Sequence, residues 1–230
     1  MAGLGLSAVI TGGRSGIGQR LAELMAADGW QVFATGRYAS RNTQDSGVHS
    51  RPADVRHPHV FEEVIREAAE AARLTVLVNC AGVVYPHPLA ELDSVEALQE
   101  IATNFAGAVL STSTFLRYSS GRRAVVMMAS SSGLRPSPGW AVYGATKAAM
   151  ISLGASVAAE NPDVNVITVC PGRTATALRA VMVPDEDPSS IMQPEAVAAF
   201  TLGHIDCALT AEGSGDQLYL GEPLPISGVI

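Results

Sequence analysis

The stretch that decides the fold is Ser7–Gly18, with the sequence SAVITGGRSGIG. Its first five residues form a short, largely apolar run, which is typical of a strand buried inside a parallel sheet. Gly12, Gly16 and Gly18 follow and allow a tight turn, close approach of the backbone to a pyrophosphate, and close packing of a helix on the strand. The stretch therefore predicts the first strand, turn and helix of a dinucleotide-binding fold.

Beyond this unit, predicted strands and helices alternate along the whole chain of 230 residues. The predicted strands are Ser7–Thr11, Gln31–Thr35, Val48–Ala53, Leu74–Asn79, Arg123–Ser130, Asn165–Cys170 and Gln217–Leu220. The predicted helices are Gly16–Asp28, Phe61–Ala72, Ser94–Tyr118, Val142–Glu160 and Glu195–Leu209, with Ser94 as an N-cap and Pro194 as a first helical residue. This alternation predicts one α/β domain over residues 1–230, in which helices cover both faces of a parallel sheet.

The composition of the chain argues against several classes of protein. The chain is 47% hydrophobic and 16% charged, as in a compact globular enzyme. Its formal net charge of −7 argues against a nucleic-acid surface, and it has no run of about 18 apolar residues that would span a membrane. The apolar start Met1–Ile10 lacks a basic segment and favours a strand over a signal peptide. Three cysteines without a CxxC pair favour the reducing cytoplasm.

Charge at the predicted nucleotide site indicates which cofactor binds. A dinucleotide fold that uses NAD carries an acidic residue, about 20 positions beyond the glycines, to bind the ribose 2′-OH. Here the second strand leads into Arg37, and Arg14 lies within the glycine turn. Two guanidinium groups suit a 2′-phosphate, so we predict NADP(H); the alternative is that both are ordinary surface arginines.

Tyr143 and Lys147 are the first candidates for chemistry. They are four residues apart at the start of a predicted helix and therefore share a face. A nearby ammonium group lowers the pKa of a phenol, which can then exchange a proton with a carbonyl or alcohol oxygen. Ser130 ends a predicted strand, where a ligand crevice opens, and its hydroxyl can hold that oxygen; Ser131 and Ser132 are rivals on sequence alone.

The five histidines do not cluster with acids or cysteines, so we predict no metal site. His57-Pro-His59 favours a loop over a metal ligand pair. His87 lies after a predicted strand, where it is either a substrate contact or a simple loop residue.

Seven short motifs occur in order along almost the whole chain: TGGRSGIG (Thr11–Gly18), Asp54-Val55, NCAG (Asn79–Gly82), Asn104, the serines Ser130–Ser132 before Gly133, YGATK (Tyr143–Lys147) and PGRTAT (Pro171–Thr176). With this order and spacing, the chain resembles the short-chain dehydrogenase/reductase family, in its compact single-domain branch of NADPH-dependent carbonyl and ketoacyl reductases. The resemblance implies a doubly wound Rossmann fold whose seven parallel strands lie in the order 3-2-1-4-5-6-7.

The resemblance also implies roles for the matching residues. Tyr143 is expected to be the catalytic acid/base, and Lys147 to bind the nicotinamide ribose and lower the pKa of the tyrosine. Ser130 is expected to orient the substrate carbonyl, and Asn104 to hold a water that passes protons to Lys147. Asp54 is expected to meet the adenine. The full expected cofactor set is Gly12, Arg14, Ser15, Gly16, Ile17, Gly18, Arg37, Asp54, Val55, Asn79, Ala81, Gly82, Tyr143, Lys147, Pro171, Gly172, Thr174 and Thr176.

The chain departs from the family pattern in three places. Cys80 replaces the second asparagine of NNAG, which we interpret as a packing change. The stretch from Arg37 to Asp54 is short and predicts a stunted helix after the second strand. The segment Gly221–Ile230 lacks the common closing pattern, which leaves a homodimer and a homotetramer both open.

The leading functional hypothesis is an NADPH-dependent oxidoreductase that interconverts a ketone and a secondary alcohol. A second hypothesis is an idle NADP(H)-binding regulatory or assembly subunit, since a fold does not determine function. A nucleotide-sugar epimerase ranks lower, because the glycine spacing is TGxxxGIG and only about 50 residues follow Thr176.

The resemblance implies that the segment 177–193 lies over the substrate. Its first part is apolar and its second part, Pro184–Pro188, is acidic and stiff. We predict a mobile flap that closes on a largely apolar substrate and excludes water. The alternative is a short surface helix and a turn.

Overall fold

The structure is a computed structural model that describes residues 5–37 and 47–210, together with the backbone of residues 216–220. Its strands are β1 (Leu6–Thr11), β2 (Gln31–Gly36), β3 (Val48–Pro52), β4 (Arg73–Asn79), β5 (Arg123–Met128), β6 (Val164–Pro171) and β7 (Asp216–Leu220). They form one sheet in the order β3-β2-β1-β4-β5-β6-β7, and every neighbouring pair is parallel. The predicted doubly wound seven-stranded sheet is confirmed.

Helices cover both faces of this sheet. They are α1 (Gly16–Ala27), α2 (Pro58–Ala71), α3 (Ser94–Ile101), α4 (Gly107–Tyr118), α5 (Ala141–Glu160), α6 (Ala177–Met182) and α7 (Pro194–Thr210). Among the described residues, none of the helices has the length and apolarity needed to cross a membrane.

Successive side chains of the central strands pack into two separate hydrophobic cores, one on each face of the sheet. Val9 on β1 and Leu77 on β4 pack in one core with side chains of α2, α4 and α5, while their neighbours Ile10 and Val78 pack in the other with α1 and α7. This follows from the two-residue period of a strand, which sends successive side chains to opposite faces. Both faces are buried, which explains why β4 and β5 are almost continuously apolar.

Two helix starts test the predicted signals. Pro194 begins α7, as predicted, and Pro58 likewise begins α2, three residues before the predicted start. The prediction of Ser94 as an N-cap is wrong: Asp93 is the N-cap, and its carboxylate accepts hydrogen bonds from the backbone N–H groups of Val95 and Glu96. A carboxylate also interacts favourably with the positive end of the helix dipole.

Two predicted boundaries are corrected. The single helix predicted over Ser94–Tyr118 is divided into α3 and α4 by a π-helical segment, Ala102–Ala106. The predicted strand Arg123–Ser130 ends at Met128, because Ser130 instead caps a short 3-10 turn over residues 131–133. The predicted stunted helix after β2 falls largely on residues 38–46, and the chain end Gly221–Ile230 is also outside the described residues.

Candidate active site

Two adjoining cavities open at the carboxyl ends of the central strands. The first cavity, of about 390 Å³, lies between the glycine turn, the end of β5, the start of α5 and α6. The second cavity, of about 310 Å³, lies beside the ends of β1 and β2. Strand order reverses at β1, and this switch point is where doubly wound sheets bind ligands. All predicted site residues line one of the two cavities except Gly18, Asn79 and Asn104.

The glycine turn lies tightly between β1 and its neighbours. Gly12 has φ +64°, and a Cβ there would lie 2.8 Å from the Cα of Ala81. A Cβ on Gly18 would lie 2.6 Å from the carbonyl oxygen of Gly12, so Gly18 serves helix packing rather than ligand contact. Ser15 is the N-cap of α1, and its side chain makes no capping hydrogen bond in the described structure. The first N–H groups of α1 therefore suit an anion such as a pyrophosphate.

The second cavity has the charge expected for a phosphate on the ribose. Arg14 lines it, and the Nε and Nη1 of this residue are buried without a hydrogen-bond partner among the described residues. The arginine stem packs on Gly36, where an added Cβ would lie 3.0 Å from its Cδ. Buried guanidinium N–H groups need acceptors, so the residues present fit a bound 2′-phosphate. Arg37 and Asp54 line the same cavity, and Asp54 Oδ2 accepts hydrogen bonds from Arg56 Nε at 3.0 Å and Nη2 at 2.6 Å.

Ser130, Tyr143 and Lys147 meet at the floor of the first cavity. Tyr143 and Lys147 lie in the first two turns of α5 and are only 7% and 4% exposed. The Nζ of Lys147 lies 5.6 Å from the centre of the tyrosine ring and donates a hydrogen bond of 2.7 Å to the carbonyl oxygen of Met128. The Ser130 hydroxyl accepts a hydrogen bond from the N–H of Ser132 at 3.1 Å, and its interaction with the Tyr143 phenol lowers the pKa of that phenol. This arrangement favours Ser130 over its rivals Ser131 and Ser132.

Burial controls protonation at this floor. It raises the pKa of Tyr143 to about 12, although the hydrogen bond from Ser130 acts in the opposite direction. Burial also lowers the pKa of Lys147 to about 8. Burial outweighs the other influences on the Tyr143 phenol, and the Lys147 ammonium group bonds to Met128; the expectation that Lys147 lowers the pKa of Tyr143 stays a prediction. Tyr143 is consequently protonated near neutral pH and able to give a proton.

Asn104 is fully buried in the π-helical segment, behind Lys147. Its Oδ1 accepts from the N–H of Val83 at 2.8 Å, and its Nδ2 donates to the carbonyl oxygen of Val83 at 2.9 Å and to Thr146 Oγ1 at 3.2 Å. Asn104 thus joins the segment after β4 to the helix that carries Tyr143 and Lys147. π-helical segments are frequent at functional sites. The predicted water relay through Asn104 stays a prediction.

Asn79 lies outside both cavities and has a structural role. Its Nδ2 donates to Thr112 Oγ1 at 2.9 Å, and its Oδ1 accepts from Ser111 Oγ at 2.6 Å. These bonds tie β4 to α4. Thr11 accepts from the N–H groups of Cys80 and Ala81 at 3.0 and 3.1 Å, so β1 is tied to the same segment.

The predicted flap is a short helix followed by an anchored turn. Leu178 and Met182 of α6 line the first cavity. Glu186 then forms ion pairs with Arg173 at 3.3 Å and Arg179 at 2.5 Å, which hold the acidic part of the segment beside α6. The structure therefore contains the helix and turn of the alternative interpretation, and closure of the flap stays a prediction.

The histidines lie outside the cavities. His87 is exposed, and its Nε2 lies 3.2 Å from Glu96 Oε2. His57 precedes α2, and His59 lies in its first turn. The described residues contain no group of three or more potential ligands that could hold a metal ion.

Glu100 is a buried carboxylic acid that the sequence analysis missed. Only 1% of it is exposed, and its Oε1 has no hydrogen-bond partner among the described residues. Burial raises its pKa to about 7, while the backbone N–H of Tyr85 and the charge of Lys147 act in the opposite direction. A glutamate within a helix is ordinarily exposed, so the sequence carries no signal for this burial.

We predict that Glu100→Gln changes stability in a pH-dependent manner. The native pKa lies above the ordinary value of 4.5. The unfolded chain therefore loses this proton first, and the wild type loses stability as pH rises from about 4.5 to about 7. The glutamine variant does not titrate, so its free energy of unfolding relative to wild type should rise by about 2 kcal/mol between about pH 5 and about pH 8.

Urea unfolding of both proteins at the two pH values measures this change. Glu63→Gln, on an exposed part of α2, is the matched control for the loss of one carboxylate. If the free energy of unfolding of Glu100→Gln relative to wild type were the same at both pH values, the prediction would be contradicted.

Known proteins resemble the chain in sequence and in fold. Residues 7–187 match the family described as short chain dehydrogenase. Sulfoacetaldehyde reductase 2 of Chromohalobacter salexigens is 33% identical over 75% of this chain and 74% of its own length. An uncharacterised oxidoreductase of Staphylococcus aureus strain MW2 is 29% identical over 86% of this chain and 93% of its own length.

Among solved structures, a short chain dehydrogenase of Burkholderia cenocepacia in complex with NADP shares the fold, with a TM-score of 0.84. It is 23% identical, and the likeness covers 96% of this chain and 98% of that one. The family match extends from β1 through the glycine turn, Ser130, Tyr143 and Lys147 to the turn after α6. The chain therefore belongs to the short chain dehydrogenase family of oxidoreductases.

Proposed function

We propose that the chain is an NADPH-dependent carbonyl reductase that interconverts a ketone and a secondary alcohol. The observation that carries this proposal is the meeting of Ser130 with the buried Tyr143 and Lys147 at the floor of a cavity that also includes the glycine turn. A protein that only bound the nucleotide would need no buried acid/base group there.

When bound, NADP(H) supplies or accepts the hydride at the carbonyl carbon. The phenolic O–H of Tyr143 gives its proton to the carbonyl oxygen, and the Ser130 hydroxyl holds that oxygen by a hydrogen bond. The positive charge on Lys147 Nζ then favours the phenolate that Tyr143 becomes. Pro171, Gly172, Thr174 and Thr176 line the same cavity, and we assign them to the nicotinamide carboxamide.

The cofactor proposal is NADP(H) rather than NAD(H). Arg14 supports it, because its unpaired buried N–H groups suit a 2′-phosphate.

We further propose that residues 177–193 close over the substrate, since Leu178 and Met182 give α6 an apolar wall toward the first cavity. A cytoplasmic location is supported by Cys80, Cys170 and Cys207, all of which are free thiols.

Self-association, as a homodimer or homotetramer, is the proposed assembly. Val95, Leu98 and Ile101 are 60%, 66% and 42% exposed. They are spaced by three residues on α3 and therefore share a face. A contiguous exposed apolar patch of this kind is typical of a protein interface.

We predict that Leu98→Glu disrupts the assembly, because a carboxylate at the centre of this patch must lose its hydration when the interface forms. Light scattering after size-exclusion chromatography should give a dimer or tetramer for the wild type and mainly monomer for the variant at micromolar concentration. Leu24→Glu, at an exposed apolar position of α1, is the control. A wild-type monomer, or equal masses for wild type and Leu98→Glu, would contradict the prediction.

The competing proposal is an idle NADP(H)-binding subunit. NADPH consumption by the purified protein separates the two when ketones, diketones, quinones and steroids are tested in turn. We expect at least one of these classes to accelerate NADPH oxidation by several orders of magnitude over the protein-free rate. Tight NADPH binding without turnover of any class would favour the idle subunit.

A further inference from the structure

We propose that the substrate carries a negatively charged group, a carboxylate, sulfonate or phosphate, and that Arg135 at the mouth of the first cavity binds it. The inference deepens the proposed carbonyl reductase function and rests on it. Three observations support it: the charge of the cavity, the availability of Arg135, and an unpaired donor on the same loop.

The first cavity is positively charged within an acidic chain. The chain has 22 acidic and 15 basic residues, yet the described lining of this cavity contains four basic residues and no acidic one. The four are Arg135, Lys147, Arg173 and Arg179. A cleft lined by one sign of charge concentrates ligands of the opposite sign. The cavity therefore favours an anion despite the net charge of the chain.

Three of these cations already have protein partners. Lys147 Nζ donates to Met128 at the reacting end. Arg173 and Arg179 share the carboxylate of Glu186, with two short contacts from Arg179 at 2.5 and 2.7 Å. Two guanidinium groups on one carboxylate retain one net positive charge near the cavity, but their N–H groups are partly occupied.

Arg135 is the cation available to a ligand. Within the described parts of the chain, its guanidinium group makes no hydrogen bond or ion pair, and the residue is exposed. An exposed arginine is ordinarily hydrated, so exposure alone does not define a site. The position of Arg135 indicates a site, because this residue lines the cavity on the loop that connects Ser130 to the helix of Tyr143.

Trp140, on the same loop, provides the second donor. Trp140 lines the first cavity, and its indole Nε1 is buried without a partner among the described residues. An indole N–H is a donor only, and a buried donor requires an acceptor. The loop is also held in shape: the N–H of Trp140 donates to the carbonyl oxygen of Ser137 at 3.1 Å, and its own carbonyl oxygen accepts from the N–H of Gly144 at 3.0 Å.

A carboxylate, sulfonate or phosphate has at least two acceptor oxygens, enough for Arg135 and for Trp140 Nε1. The expectation of a largely apolar substrate is thereby modified. Leu178 and Met182 still provide apolar wall, but the opening is polar and cationic. A small carbonyl compound with an acidic group fits this combination: the carbonyl oxygen lies at Tyr143 and the anion lies toward Arg135.

Matched substrate pairs test the inference. Each pair compares an oxoalkyl carboxylate, sulfonate or phosphate with its fully esterified, uncharged methyl ester (the dimethyl ester for the phosphate), so that the carbonyl is kept and the acidic group is neutralised. For at least one anion, wild-type kcat/KM should exceed that of the ester by at least about tenfold, which corresponds to about 1.4 kcal/mol for one charge-assisted hydrogen bond. Comparison of the carboxylate, sulfonate and phosphate pairs shows which anion the cavity binds.

Arg135→Gln should reduce this preference to about twofold or less, while kcat/KM for the ester changes by less than about threefold. Arg66→Gln, on an exposed part of α2, is the control and should retain the wild-type preference. The preference should also weaken as salt is raised.

Three outcomes would overturn the inference. Efficient reduction of the esters without preference for any anion would overturn anion binding and leave the proposed function intact. An anion preference that survives in Arg135→Gln would overturn the role of Arg135. Failure to reduce any carbonyl in either series would overturn the proposed function, and this inference with it.

Discussion

Tyr143→Phe is expected to lower kcat by at least about two orders of magnitude while NADPH binding changes by less than about threefold. The phenylalanine keeps the ring, and hence the packing at the start of α5, but it removes the phenolic proton of Tyr143 from the cavity floor. The phosphates bind at the glycine turn and beside Arg14, away from this hydroxyl. Steady-state kinetics with a confirmed substrate and fluorescence titration of NADPH measure the two quantities.

Tyr118→Phe is the matched control for this prediction. Tyr118 is 37% exposed on α4, where its hydroxyl hydrogen bonds to Glu62 outside both cavities. It should retain wild-type kcat. If Tyr143→Phe retained most of its activity on a genuine substrate, the assigned acid/base would be wrong.

Arg37→Asp is expected to invert the cofactor preference. The wild type should prefer NADPH over NADH by at least about tenfold in kcat/KM, about 1.4 kcal/mol, because Arg14 and Arg37 both line the cavity beside the end of β2. An aspartate at this position would repel a 2′-phosphate and accept hydrogen bonds from a ribose 2′-OH. Arg14→Ala should weaken the preference for NADPH without creating one for NADH.

The kinetics of wild type and variants with both cofactors provide the measurement. Arg66→Asp makes the same charge change on an exposed part of α2 and should retain the NADPH preference. Equal use of NADPH and NADH by the wild type would contradict the assignment of Arg14 and Arg37.

Local sequence signals were sufficient to predict the fold and many of the residues that line the two cavities. The glycines at positions 12, 16 and 18 predicted the turn because each has a steric reason: a Cβ on Gly12 or Gly18 would collide with backbone atoms, and Gly16 has φ +53°. The apolar strands predicted a sheet buried on both faces. The spacing of Tyr143 and Lys147 predicted a shared helix face, and both side chains line the first cavity.

Features that depend on tertiary surroundings were not predictable. Glu100 looks like an ordinary helical glutamate, and its burial comes from the tertiary packing around α3. Burial raises the pKa of Tyr143, and burial cannot be read from a spacing of four residues. Arg135 and Trp140 lie in an irregular loop whose position in the cavity depends on the fold of the whole domain.

The most direct test of the central claim is isotope transfer from NADPH that is deuterated at its transferable position. The purified protein is incubated with this NADPH and each reducible carbonyl compound, and the alcohols are analysed by mass spectrometry and NMR. We expect one deuterium per product molecule, bound to the former carbonyl carbon, and we expect Tyr143→Phe to form this product at least about a hundredfold more slowly. Alcohol formation without deuterium at that carbon, or tight NADPH binding with no transfer to any carbonyl, would contradict it.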